Sequence, residues 1–420
     1  MAHACVHRRP ALRSLCAEMA WTFQVALSNA TFINDGPAMN SIEHVANYKK
    51  PVSFGALRLD EMFGYVVFVA MIASVAIPPL RYLNYLLPMI GLLLILANRG
   101  MHIPDLARPY LVIFLASLVL MPFANSEGVK DIYLILTGLS VALVGFRQLW
   151  PWRTILIAVL LGLAANFALV GAFNGWNAVL SHFTFDVAAS RSTLESGFSY
   201  VFGLLAVWAA YTRRWRSFAV ALVFAVLTLK RIVTLGILIC LVVQFMPRTV
   251  MLRLLKPVPM MMANALFLFL ILSYGSGSFD AIIRELTAQS ANQFGMGRQV
   301  LYSYVVSDFF REPWRFLFMG MGPGEAYDVL KGSMSWVRKE NLHGDTLKIL
   351  YEYGGLVLGV FIWALYSSRR PGVLLIALYT NILLLTDNTL IYPFYIYFAT
   401  LVAACIAAHD DAAEKIRPAS

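Results

Sequence analysis

Charge is what this sequence has least of. Only 13% of its 420 residues are Asp, Glu, Lys or Arg, against 60% that are hydrophobic, where a soluble domain carries about 25% charged residues. A water-facing shell is therefore excluded, and the exterior has to meet lipid. Cysteine is scarce too. Cys5, Cys16, Cys240 and Cys405 are scattered without disulfide or thiolate-metal spacing, which leaves them as apolar filler. Nowhere do His, Cys and carboxylates cluster at metal-ligand spacing, and no Asp-x-Asp pair could hold Mg²⁺ against a diphosphate. The nearest acidic pair, Asp60-Glu61, falls at the start of the first apolar segment. No metal and no other cofactor is expected.

What is abundant is apolar sequence, with a mean hydropathy of +0.69. Its runs of roughly 15 to 22 residues between polar breaks suit a hydrocarbon core about 30 Å thick. They predict an all-α polytopic membrane protein of about twelve transmembrane helices. The spans fall over 62–80, 82–97, 109–123, 131–150, 154–173, 196–212, 215–229, 231–245, 258–274, 345–366, 372–386 and 392–408. Pro78, Pro79 and Pro88 kink or end the first two, and the pair around Lys230 also reads as one long broken helix. The chain thus divides into a cytoplasmic N-terminal tail (1–59), nine spans (60–274), a long connection (275–344), three further spans (345–408) and a cytoplasmic C-terminal tail (409–420). Residues 17–30 faintly resemble a signal peptide, but Glu18 and Gln24 interrupt the apolar stretch. A tail with one amphipathic helix is the preferred reading, with an overlong start and Met39 as the true first residue as the other.

A formal net charge of +10 raises the question of nucleic acid. The cations sit in short loops rather than in a basic stripe with interleaved aromatics, which excludes that partner. They report topology instead. With the N-terminus inside, the short internal loops hold Arg99 and Arg108; Arg147 and Arg153; Arg213, Arg214 and Arg216; Arg248, Arg253 and Lys256; Arg369 and Arg370. The external ones hold only Arg81, Lys130, Arg191, Lys230 and Arg231. Both termini are expected inside, and the connection 275–344 outside.

That connection is rich in aromatics, among them Tyr302, Phe309, Trp314 and Trp336, so it is not a disordered linker. Loops of such length in compact proteins usually carry function. Its stretches 279–289 and 297–310 read as amphipathic helices lying on the bilayer surface. Three features converge on this side. His343, the one histidine of the connection, stands where the chain re-enters the membrane and has the proton affinity of a general base; as a plain interfacial histidine it would only pack and hydrogen-bond. Lys230 and Arg231 end an apolar hairpin, and ionisable groups at membrane depth are functional candidates, unless both simply snorkel to headgroups. Arg298, Arg311, Arg315, Arg338 and Lys339, with Arg191 from another external loop, are singly surface charges and jointly a cationic pocket for phosphate oxygens. Asp345, Lys348 and Glu352 follow His343 on one helical face, as a ladder that orients the loop or neutralises itself. The turn 318–325, Phe-Met-Gly-Met-Gly-Pro-Gly-Glu, can present backbone N–H groups to an anion, though it lacks the lysine and spacing of a P-loop.

The order of these parts resembles the bacterial O-antigen polymerase and O-antigen ligase superfamily. The match lies in the Lys-Arg hairpin, the Gly-x-Arg opening of the long loop, the Gly-Met-Gly-Pro-Gly turn, and the re-entry His343, Asp345, Leu347, Glu352, Gly354. It covers roughly 227–359 by motif and the remainder by topology; Gly344 stands where many relatives have Asn or Ser. The resemblance implies a C-type glycosyltransferase-like bundle in the bacterial inner membrane with a periplasmic active site. The donor would be an oligosaccharide on undecaprenyl diphosphate, passed without metal to a sugar hydroxyl, with His343 as general base. Arg231, Arg298, Arg191 and Lys230 would hold the diphosphate, while Asp345, Glu352 and Arg338 support them. A flippase and a chain-length regulator are the implied protein partners. A polymerase, adding to a new lipid-linked repeat unit, is favoured over a ligase acting on lipid A core or protein. A polysaccharide transporter or lipid flippase is the alternative from another class; it should show internal repeats or charged, interrupted helices near the midplane.

Overall fold

The computed structural model describes residues 59–98, 101–146, 149–174, 185–186, 191–192, 194–295, 297–333 and 342–416. The N-terminal tail expected over 1–59 lies, but for its last residue, outside them. The described chain is helical almost throughout. Its first helices are α1 (Leu59–Ala76), α2 (Leu87–Asn98), α3 (Arg108–Val119), α4 (Ser126–Val144) and α5 (Trp152–Asn174). A short antiparallel ladder follows, in which β1 (Phe185–Asp186) sets Asp186 opposite Arg191 of β2 (Arg191–Ser192). Next come α6 (Phe198–Tyr211), α7 (Trp215–Leu227), α8 (Arg231–Phe245), α9 (Arg248–Leu254) and α10 (Pro257–Gly275). The long connection folds into α11 (Asp280–Thr287), α12 (Ala291–Phe294), α13 (Arg298–Arg311), α14 (Pro313–Phe318) and α15 (Glu325–Ser333). The chain finishes with α16 (Asp345–Leu365), α17 (Pro371–Thr386) and α18 (Pro393–Ile416).

Local chemistry sets many of these boundaries. Proline stands in the first turn of α3, α10, α14 and α17, where its fixed φ and missing N–H cost nothing. Asn125 caps α4 by accepting a hydrogen bond from the Gly128 N–H at 2.8 Å. Pro78 and Pro79 stop α1 and open a 3₁₀ segment, Pro78–Leu86, before α2. Leu229, in the left-handed region at φ 52°, turns the chain between α7 and α8, so the pair around Lys230 is two helices.

A helix covers the body of each segment expected to span the membrane. Among the described residues, five stretches are long and apolar enough to cross one: Pro79–Ala97, Trp152–Ala172, Pro257–Gly275, Asp345–Leu365 and Pro393–Ala412. The other apolar helices are shorter. α18 continues as helix through Ile416, beyond the expected last span.

The core is apolar as in a water-soluble protein, but the exterior is apolar as well. α6 is buried from Phe198 to Ala210 and α17 from Gly372 to Leu384, and both pack against α18. Around them the outer helices expose Leu93, Leu96, Val223, Leu238, Met262 and Phe269. Apolar exposure on this scale is unsustainable in water and natural against hydrocarbon. α16 packs between α3, α10, α14 and α17, and it carries Asp345 and Glu352 in its first turns.

Candidate functional site

α6, α8, α16, α17 and α18 each run between two polar ends of the bundle. At one end lie Tyr200, Lys230, His343 and Asp387; at the other lie Tyr211, Gln244, Ser367, Arg370 and Asp410. The first end holds Lys230, Arg231, Arg298, His343 and Asp345 of the residues singled out from sequence.

His343 stands at the bend just before α16, and its Nδ1 is buried. The segment around it is fixed from two sides. From the long connection, the Tyr302 hydroxyl of α13 donates to the His343 carbonyl. Burial pushes this phenol up to about 12, so the donor keeps its proton throughout the physiological range. From the α17–α18 connection, the Asp387 carbonyl accepts from the Asp345 N–H at 3.1 Å. The fully buried Asp345 carboxylate answers with Oδ2, which accepts from the Leu390 N–H at 2.7 Å and the Thr389 hydroxyl at 3.2 Å. Its Oδ1 is buried with no hydrogen-bond partner among the described residues. That leaves a strong acceptor two residues from the histidine, the kind of group whose satisfaction calls for a further donor.

Asp387 extends the cluster to the cation hairpin. Its Oδ2 lies 3.2 Å from the Lys230 Nζ, which also approaches Glu195 Oε1 at 3.4 Å. The same ammonium sits 4.6 Å from the centre of the Tyr200 ring, a cation–π position. Lys230 is thus compensated by two carboxylates and acts here as a brace. Arg231, the first residue of α8, is exposed beside it. Arg298 opens α13 one turn before Tyr302 and lies close enough to bias the ionisation of Tyr302 and Tyr274. Lys230, Arg231, Arg298, His343 and Asp345 therefore share one end of the bundle. The backbone of Arg191 is in β2, but its side chain, like the whole of Arg338, lies outside the described residues.

Glu352 belongs to a second cluster. Lys348 makes an ion pair with Asp131 of α4 and lies 4.0 Å from Glu352 Oε1. All three side chains are at most 15% exposed. The expected Asp345–Lys348–Glu352 ladder is therefore divided, because Asp345 turns to the α17–α18 connection while Lys348 and Glu352 turn to α4. The glycine-rich turn docks on the same region. α16 breaks at Gly354 (φ 84°, ψ 168°), which frees the carbonyls one turn earlier. The Met321 N–H donates to the Tyr351 carbonyl at 2.8 Å and the Gly322 N–H to the Glu352 carbonyl at 3.0 Å. The amides of Gly324 and Ala326 approach the Glu352 carboxylate. The turn does offer N–H groups to an anion, but the anion is internal.

Asp387, Tyr302, Tyr200 and Asp131 were not marked by sequence reasoning. A signal existed for Asp387, the one acidic residue between two long apolar segments. Tyr302 and Tyr200 lie among many aromatics and carry no such mark. Among the described residues no group of three His, Cys or carboxylates is placed to hold a metal ion. Compared with protein-family models, curated proteins and solved structures, the chain matches none.

Proposed function

We propose that this protein is a membrane glycosyltransferase that polymerises oligosaccharide carried on undecaprenyl diphosphate, at the periplasmic face of a bacterial inner membrane. The observation that carries this reading is the way His343 is held. Its flanking backbone is tied to Tyr302 of the long connection and, through Asp345, to the α17–α18 connection, at the end that also bears Arg231 and Arg298. Fixing a base between two rigid elements keeps it within reach of one acceptor position.

In the reaction, a hydroxyl oxygen of the acceptor sugar attacks the anomeric carbon of the donor. The bond from that carbon to the diphosphate oxygen breaks, and His343 takes the hydroxyl proton. Negative charge gathers on the departing undecaprenyl diphosphate, where Arg231 and Arg298, joined by Arg191, meet it with fixed positive charge. Lys230, held between Asp387 and Glu195, positions Arg231 rather than binding phosphate directly. By the positive-inside rule, the arginine-rich opposite end faces the cytoplasm. Twelve spans, with 275–344 outside, complete the arrangement.

Cells lacking the gene, complemented with wild type or His343→Ala at matched membrane levels, provide the test on a polysaccharide gel. Loss of a positioned general base costs about 10²–10⁴-fold in rate, so long polymer should vanish while single repeat units still reach the surface acceptor. Unchanged polymer from His343→Ala would sink the proposal. Long polymer trapped on the lipid carrier would reassign the protein as a ligase.

A further inference from the structure

The opposite end of the bundle carries a cavity of about 1080 Å³, beyond the ~300–1,000 Å³ of usual ligand pockets. Five arginines line it, Arg108, Arg213, Arg248, Arg369 and Arg370, against three aspartates, Asp105, Asp410 and Asp411. The aspartates are already engaged. Arg370 binds Asp411 through two contacts, at 2.9 and 3.1 Å, and Asp105 at 3.2 Å. Asp105 also holds Arg108 at 2.8 Å, and Asp410 accepts from the Tyr211 hydroxyl at 2.7 Å. Among the described residues no carboxylate lies within ion-pair distance of Arg213, Arg248 or Arg369.

The cavity also has an apolar wall. The Trp215 and Phe245 rings stack with centroids 6.1 Å apart and planes within 4°, and both are exposed. Paired aromatics at the end of apolar helices mark the depth where headgroups meet acyl chains. Cationic groups with open fork-shaped donors next to such a wall suit a phosphate, which guanidinium binds through two parallel hydrogen bonds.

We propose that this cavity is a binding site for a phosphate ester, held by Arg213, Arg248 and Arg369, at the end of the bundle away from His343. The ester is presented by an anionic phospholipid or by a soluble phosphate compound. This site stands independently of the glycan-transfer reading.

Full-length protein in neutral detergent, analysed by native mass spectrometry, tests the site. The probes are phosphatidylglycerol, phosphatidylcholine and glycerol 3-phosphate. Phosphatidylglycerol retained at least tenfold over phosphatidylcholine, and lost in Arg213→Gln/Arg248→Gln/Arg369→Gln, identifies a lipid source. Glycerol 3-phosphate bound by wild type and lost in the same variant identifies a soluble source. Either result upholds the site. The control Arg253→Gln/Lys256→Gln removes two cations that do not line the cavity, and it should change retention less than twofold. Equal losses in control and cavity variants, or no preferential binding of either phosphate probe, would overturn the proposal. If the triple variant does not fold, Arg248→Gln alone should still weaken retention about threefold, and an unchanged value overturns it equally.

Discussion

Tyr302 connects the long connection to the histidine with a single hydroxyl, so its removal isolates what that tether does. Tyr302→Phe keeps the ring, and with it the packing against Tyr274, but loses the donor to the His343 carbonyl. A roughly tenfold fall in the rate of the proposed polymerisation is expected, the equivalent of about 1.4 kcal/mol, within the range for one hydrogen bond. The sign of the pH dependence follows from the phenol. Its ionisation is pushed up to about 12 by burial, above the ordinary value near 10. Neutral phenol is therefore favoured in the folded protein, and the stability it lends is complete below about pH 10 and lost as pH rises toward 12. Rate against pH for variant and wild type should consequently run parallel between pH 6 and 9. A variant whose deficit changes across that range would show that the hydroxyl itself exchanges a proton in the reaction. His343 and Lys230 were legible from sequence because a histidine or a cation pair at a membrane boundary is rare. Their orienting partners were not, since one tyrosine among 19 gains its meaning only from the tertiary contact.

The glycine-rich turn and the re-entry helix read as two separate motifs in the sequence, and the structure makes them halves of one contact. Gly354 breaks α16 with a backbone conformation that residues with a side chain rarely adopt, and a methyl group there would come within 2.9 Å of the Met319 nitrogen. On the other side, a methyl at Gly320 (φ 67°) would lie 2.4 Å from the Glu352 carbonyl carbon. Gly354→Ala should therefore cost about 1–3 kcal/mol from backbone strain alone, with the clash added. The melting temperature of the detergent-purified protein measures it. Gly64→Ala, at a helical glycine with nothing within 4 Å, serves as the comparison and should be neutral or slightly stabilising. Equal behaviour of the two variants would mean that the turn does not hold the kink. Helix positions were legible because apolar length and proline at first turns are local signals. This docking was not, because spacing alone cannot tell whether a glycine turn meets a ligand or another part of the same chain.

At the level of the whole molecule, the five arginines that line the cavity mark one end and the His343 cluster marks the other, which makes orientation measurable. In a chain with Cys5 and Cys16 replaced by serine, Cys240 and Cys405 remain buried. A cysteine at Ser276, exposed in the turn after α10, should react with a membrane-impermeant maleimide added to spheroplasts. One at Arg369, exposed at the arginine end, should react only after the membrane is opened. The reverse pattern would put His343 in the cytoplasm and overturn the proposed periplasmic polymerisation. Charge asymmetry of the loops made the two ends legible in the amino-acid sequence itself. The ion pairs across them were not legible, since Lys348 and Asp131 are 217 positions apart.

That separation bears on how the protein is made. α4 leaves the ribosome with its Asp131 carboxylate long before α16 brings the matching ammonium. A carboxylate buried at the membrane boundary without its counter-charge is costly, so α4 should gain its settled depth in the bilayer only when α16 arrives. Insertion of this chain is then not a procession of independent hairpins. An early helix waits at the membrane boundary for a late one, and truncation before α16 leaves a product whose first half is poorly seated and open to quality-control proteolysis.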